Sequence, residues 1–161
     1  MPMEYKPEVS MGQTERVSPS DRVPPGQSAT NGWPVLHEGG VPSFDPKTWD
    51  FRIFGLVEEP VTLSYEEFMS LPKVTITSDI HCVTGWSKLS NTWEGIATRE
   101  VLKRARLLPA AKYVMIHAEN DYTANVPLED FLGDDVLFAY RHNGQDLTPE
   151  HGWPLRLVLP K

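Results

Sequence analysis

The stretch Lys73-Val74-Thr75-Ile76-Thr77-Ser78-Asp79-Ile80-His81-Cys82-Val83-Thr84-Gly85-Trp86-Ser87 begins as a strand and ends as a turn. Val74, Thr75, Ile76, Thr77, Ile80 and Val83 supply the β-branched side chains that fit a pleated surface. Thr84-Gly85 then breaks the run. Cys82, the single cysteine of the chain, therefore falls at the far end of the predicted strand Lys73–Val83. A lone cysteine forms no internal disulfide. It is open to three uses, as a small buried apolar residue, a nucleophilic or redox thiol, or a soft metal ligand.

Outward from this strand, helices and strands mix without a repeating β-α unit. Trp49–Leu56 alternates as a strand, with Pro60 ending it or setting it at an edge. Ser64 and Glu67 have capping-box spacing and predict a short helix over Tyr65–Ser70, closed by Leu71-Pro72. Val101, Leu102, Ala105 and Leu108 mark one face of a helix predicted over Thr98–Leu108. Lys112–Ala118 reads as a strand, Pro127–Leu132 as a short helix, Val136–Arg141 as a strand, and Leu155–Leu159 as a final strand. Asn143-Gly144 favours a tight reversal. The fold class expected is α+β around a mixed β-sheet. No glycine-rich nucleotide fingerprint is present, which disfavours a doubly wound dinucleotide fold.

The 161 residues suffice for one cored domain. Residues 1–23 are polar and proline-punctuated and are expected to form a flexible arm, with the domain over 24–161. A net charge of −7 argues against general nucleic-acid binding, although local cations can still hold a small anion. No run has the length of a membrane span and no export signal is evident, so a cytoplasmic location is expected.

Three clusters could carry chemistry. The first is Cys82 itself. None of the five histidines, His37, His81, His117, His142 and His151, has zinc-like spacing with another. A metal held by one protein thiolate, with its remaining ligands from a cofactor, fits these counts best. The second cluster is His151-Gly152-Trp153-Pro154-Leu155-Arg156. It reads either as an anion clamp, with a guanidinium fork and an imidazole donor, or as a polar loop with Arg156 in a surface ion pair. The third is Trp33-Pro34-Val35-Leu36-His37-Glu38-Gly39-Gly40, where His37 is either an anion donor or a solvent-facing residue. Asn125 reads as a helix-opening residue or a ligand contact.

Four blocks in order resemble the molybdopterin-binding domain of the sulfite oxidase family. They are His81–Ser87, Trp93-Glu94-Gly95, Tyr122–Leu128 and His151–Pro160. The likeness runs from about Pro24 to the last residue and is closer to small prokaryotic members without a haem domain. The resemblance implies the mixed-sheet α+β fold of that family and a molybdenum-molybdopterin cofactor. It makes Cys82 the thiolate ligand of the metal. It makes His37, Thr84, Asn125, His151 and Arg156 cofactor contacts. It implies a two-electron oxygen-atom transfer to or from a small oxo compound such as sulfite or a sulfoxide, with a separate electron-transfer partner.

The sequence departs from relatives in two places. Relatives commonly continue past the final Leu-Pro with a lysine-rich segment that holds the pterin phosphate, so the domain is expected to lack its usual C-terminal segment at Lys161. Gly85 stands where many relatives place an arginine beside the metal pocket, which weakens the case for sulfite. The rival expectation is a non-catalytic, cofactor-free domain that keeps the fold.

Overall fold

The computed structural model describes residues 19–36 and 38–161. The strands are β1 (Ser28–Ala29), β2 (Asp50–Ile53), β3 (Val61–Ser64), β4 (Val74–His81), β5 (Trp86–Ala97), β6 (Tyr113–His117), β7 (Thr123–Pro127), β8 (Leu137–His142), β9 (Gln145–Asp146) and β10 (Arg156–Val158). The α-helices are short: α1 (Tyr65–Met69), α2 (Thr98–Leu102) and α3 (Leu128–Phe131). Pro19–Arg22, the described part of the expected arm, forms a 3-10 turn.

The main sheet has six strands and is mixed, as expected for the α+β class. β5 pairs antiparallel with β4 along one edge. Its other edge takes β1 in parallel at Trp86 and Ser87, then β8 antiparallel from Trp93 to Ala97. β10 and β9 complete the far side of β8. The pairs β2–β3 and β6–β7 form separate two-stranded sheets.

The period of two along β8 divides the core. Phe138 faces Ile53, Phe68, Leu71, Ile96, Val101 and Phe131 on the helical side. Leu137 and Ala139 face Trp93, Leu147 and Val158 on the other. Trp93 and Ile96, three residues apart on β5, face opposite cores, and the register shift between Glu94 and Gly95 leaves Tyr140 as an extra, bulged residue on β8. Gly95 permits that bulge because a Cβ there would lie 2.0 Å from the Phe138 carbonyl oxygen.

Most predicted elements are present, with three corrections. The helix expected over Thr98–Leu108 ends at Leu102, because Arg106, Leu107 and Leu108 pair with the segment Leu56–Glu58 instead. β5, the longest strand at 12 residues, was not expected. Ser87, Asn91 and Thr98 are fully buried at or beside it, so polar residues sit where alternation demands apolar ones. Asn125 lies within β7, opposite Met115, and does not open a helix. The capping box at Ser64 forms as predicted: Ser64 Oγ accepts from the Glu67 amide, and Glu67 Oε2 accepts from the Ser64 amide at 2.7 Å.

Candidate active site

Cys82 occupies the four-residue loop Cys82-Val83-Thr84-Gly85 joining β4 to β5. The Cys82 amide donates to the Trp86 carbonyl at 2.9 Å and the Gly85 amide to the Cys82 carbonyl at 3.0 Å, which closes the turn. Val83 at its tip is 99% exposed. Cys82 is half-buried, and its Sγ lies 3.1 Å from Thr84 Oγ1. Either atom can donate in this contact, which holds the sulfur beside the Thr84 hydroxyl.

A hydrogen-bond chain supports this loop from below. Gln27 Nε2 donates to the Cys82 carbonyl at 2.9 Å, which fixes the orientation of the Gln27 amide. Gln27 Oε1 then accepts from Ser87 Oγ at 3.0 Å. Ser87 has spent its only proton, so the 2.8 Å contact between Ser87 Oγ and His81 Nδ1 is donated by the imidazole. His81 Nε2 is left outside this chain.

His81 lines a cleft of about 360 Å³ that also holds Asp79, Trp93, Arg156 and Lys161. The cleft thus joins the end of β4, just before Cys82, to the start of β10. A groove of about 450 Å³ at Lys112, Tyr113 and Leu132 carries none of the candidate residues.

Arg156 is the main cation of the cleft. Its Nη1 donates to the His151 carbonyl at 3.1 Å, and its guanidinium carbon lies 5.1 Å from the centre of the Trp33 ring. Its Nε is buried and has no hydrogen-bond partner among the described residues. Burial pulls its pKa down from the ordinary value. A buried guanidinium donor without a partner is costly, and an anion entering the cleft would relieve that cost.

His151 stacks on Trp33 with centroids 3.9 Å apart and planes 19° apart. Its Nε2 donates to the Trp33 carbonyl at 3.2 Å, and its Nδ1 meets Thr148 Oγ1 at 3.2 Å. Both ring nitrogens are therefore engaged within the chain. Gly152 lets the loop return, with φ +107; a Cβ there would sit 2.8 Å from Arg156 Cβ.

His142 escaped the sequence reading. It lies 4.6 Å from both Trp33 and Trp93, and its Nε2 donates to Asn91 Oδ1 at 2.8 Å. Burial first, then the nearby Lys88, His151 and Arg156, push its pKa down to about 4. It is a neutral spacer within the aromatic cluster. Its place after a predicted strand gave no signal of this.

The remaining candidates lie farther out. His37 falls outside the described residues. Its neighbour Glu38 accepts at its carbonyl from Asn120 Nδ2, so the segment after His37 is tied to the β6–β7 loop. Asn125 stands exposed on β7, and no described hydrogen bond joins it to the Cys82 loop. The structure brings together Cys82 with Thr84, and His151 with Arg156; His81 and Arg156 share the cleft.

A cofactor with an anionic portion and its own metal ligands fits this arrangement. Among the described residues no group of three or more His, Cys, Asp or Glu converges as a metal site. A metal at Cys82 would therefore take most of its ligands from a non-protein group. The half-buried thiol and the unsatisfied Arg156 Nε supply the two kinds of contact that such a group requires.

Comparison with known proteins places these residues in context. The YuiH protein of Bacillus subtilis, described as an uncharacterized oxidoreductase, is 47% identical over 150 residues, covering 92% of this chain and 76% of that one. An NADPH nitrate reductase of Emericella nidulans is 30% identical over 155 residues, covering 78% of this chain and 18% of its own. The crystal structure of the sulfane dehydrogenase SoxCD from Paracoccus pantotrophus superposes with a TM-score of 0.66 at 25% identity, over 76% of this chain and 36% of that one. The family model for the oxidoreductase molybdopterin binding domain matches residues 38–161, and the chain belongs to that family.

Proposed function

We propose that the protein is a molybdopterin-dependent oxidoreductase that performs two-electron oxygen-atom transfer on a small oxo compound, with Cys82 as the thiolate ligand of the metal. The observation that carries this reading is the buried, partnerless Nε of Arg156, a residue that lines the same cleft as His81, the residue before Cys82. When bound, the molybdenum cofactor supplies the two-electron couple and the exchangeable oxygen.

The chain's own residues do the rest. Cys82 holds the metal, and Thr84 steadies its sulfur. Arg156 binds the anionic portion of the cofactor through paired, charge-assisted donors, and His151 holds the Arg156 fork in place through its carbonyl. Lys161 also lines the cleft, with its ammonium paired to Asp130. His37 and Asn125 are further residues proposed to contact the cofactor.

Two half-reactions fit this chemistry. Sulfite and water give sulfate, two electrons and two protons; a sulfoxide with two electrons and two protons gives a sulfide and water. The relatives named as nitrate reductase and sulfane dehydrogenase support redox work on small nitrogen or sulfur compounds. A redox partner exchanges the electrons. No helix of the described residues is long and apolar enough to cross a membrane. The free thiol suits a reducing compartment, and we place the protein in the cytoplasm.

The test is turnover by cofactor-loaded protein in both directions, sulfite with an oxidised dye and methyl sulfoxides with a reduced one. The reading expects one to proceed and to be lost in Cys82→Ser. Loaded protein inert toward both substrates, and toward other small oxo compounds, would refute it.

A further inference from the structure

Residues 22–33 precede the region matched by the family model, which begins at residue 38. They nevertheless touch both the Cys82 loop and the His151–Arg156 loop. Arg22 Nε donates to Asp79 Oδ2 at 2.9 Å, its Nη2 also bonds Asp79 Oδ1, and Asp79 lines the cleft. Gln27 bonds the Cys82 carbonyl and the buried Ser87 hydroxyl. The Ser28 amide donates to the Gly85 carbonyl at 2.8 Å, and the Thr30 amide to the Ser87 carbonyl at 2.8 Å. Trp33 then stacks on His151 and lies under the Arg156 guanidinium.

We infer that this segment is a brace that completes the cofactor site, with Gln27 and Trp33 as positioning residues: Gln27 fixes the Cys82 loop and Trp33 fixes His151 and Arg156. The inference rests on the cofactor reading proposed above. Its physical basis is that the Cys82 loop follows β4, which pairs with β5, and the His151–Arg156 loop leads into β10, which pairs with β8, with no described hydrogen bond between the two loops. One stretch of chain reaches both. Without the Gln27 amide, the Cys82 carbonyl keeps only the Gly85 amide and the Ser87 hydroxyl only His81, so the turn that aims Sγ loses its side-chain support. Without the Trp33 ring, the imidazole loses its stacking surface and the guanidinium the face it lies over. The aromatic face and the amide are both needed because a site that binds metal and anion together depends on the spacing of the two halves.

The experiment uses the full chain as wild type, Gln27→Met, Trp33→Leu and Trp33→Phe, all shown folded by circular dichroism at the working temperature. Gln27→Glu, which keeps the acceptor for Ser87, replaces Gln27→Met if that variant does not fold. Two quantities are read: the rate of Cys82 alkylation by iodoacetamide in cofactor-free protein, and the pterin retained per chain after loading with free molybdenum cofactor and gel filtration. Gln27→Met is expected to change the alkylation rate by about threefold or more, because the loop presenting the thiol loses its side-chain support. Both Gln27→Met and Trp33→Leu are expected to lose about tenfold in retention, the effect of losing roughly one good contact. Trp33→Phe, which keeps an aromatic face, should restore retention to near wild type, a rescue that general destabilisation would not produce. Wild-type retention in Gln27→Met and Trp33→Leu, or failure of Trp33→Phe to rescue, would overturn the brace while leaving the cofactor reading intact. A wild type that retains no pterin would overturn the cofactor reading, and the inference with it.

Discussion

Arg156 donates from Nη1 to the backbone carbonyl of His151 at 3.1 Å, so the two members of the expected anion clamp are bonded to each other. The bond uses one end of the guanidinium and leaves the buried Nε without a partner. The clamp is thus aimed by its own loop before any ligand arrives, which reduces the ordering cost of binding. Arg156→Ala should weaken cofactor binding by one to two orders of magnitude, since charge-assisted hydrogen bonds contribute roughly 1.5–3 kcal/mol. Arg156→Lys should recover only part of it, because an ammonium cannot reproduce the fork. Titration of cofactor-free protein with the pterin cofactor reads both effects. Equal affinities in all three proteins would make Arg156 a structural cation.

Gly152 sets the path by which the chain returns to Arg156. At φ +107, with Arg156 Cβ 2.8 Å from the position of a Cβ, it tolerates no side chain without movement. Gly152→Ala should cost about 1–3 kcal/mol of stability and shift Arg156 together with its loop. Urea denaturation measures the first. The second should appear as weakened cofactor binding beyond what a surface variant of equal stability shows. A Gly152→Ala protein with wild-type midpoint and affinity would mean that the loop relaxes freely.

Acid should destabilise the protein in two stages. His142 in the folded chain has its pKa lowered to about 4, from an ordinary 6.5, chiefly by burial between Trp33 and Trp93. Between these values the unfolded chain binds the proton and the folded chain does not, so stability falls as pH drops from 6.5 toward 4. Asp79 has its pKa lowered by its hydrogen bonds with Arg22. Its contribution is present above the ordinary carboxylate range and is lost only below it. Urea midpoints between pH 7.5 and 4 should therefore decline in wild type and flatten in His142→Gln. The same slope in both proteins would show that His142 titrates normally when folded.

Much of this architecture was legible from local signals. The Ser64–Glu67 capping box, the Asn143-Gly144 reversal and the β-branched run before Cys82 each depend on neighbouring residues, and each produced the element expected. β5 was not legible. Ser87 and Asn91 point inward and are satisfied by Gln27, Ser78 and Lys88, partners that only tertiary structure supplies. The end of α2 was lost for a similar reason, since Val57, which claims Leu107, is 50 residues away in sequence. At the site, Cys82, His151 and Arg156 stood out because their residue types carry chemistry at turns. Trp33, Gln27 and His142 did not, because their roles arise from stacking and bonding across the fold.

The most direct test of the account is the molybdenum and pterin content of the protein and of its Cys82→Ser variant, each loaded with the free cofactor and freed of excess. The account predicts about one molybdenum and one pterin per wild-type chain, because one thiolate completes a metal whose other ligands come with the cofactor. It predicts that Cys82→Ser, folded to the same thermal midpoint, loses most of the molybdenum, since a hydroxyl is a poor substitute for thiolate at a soft metal. Wild-type and Cys82→Ser chains that carry the same molybdenum, or none at all, would contradict it.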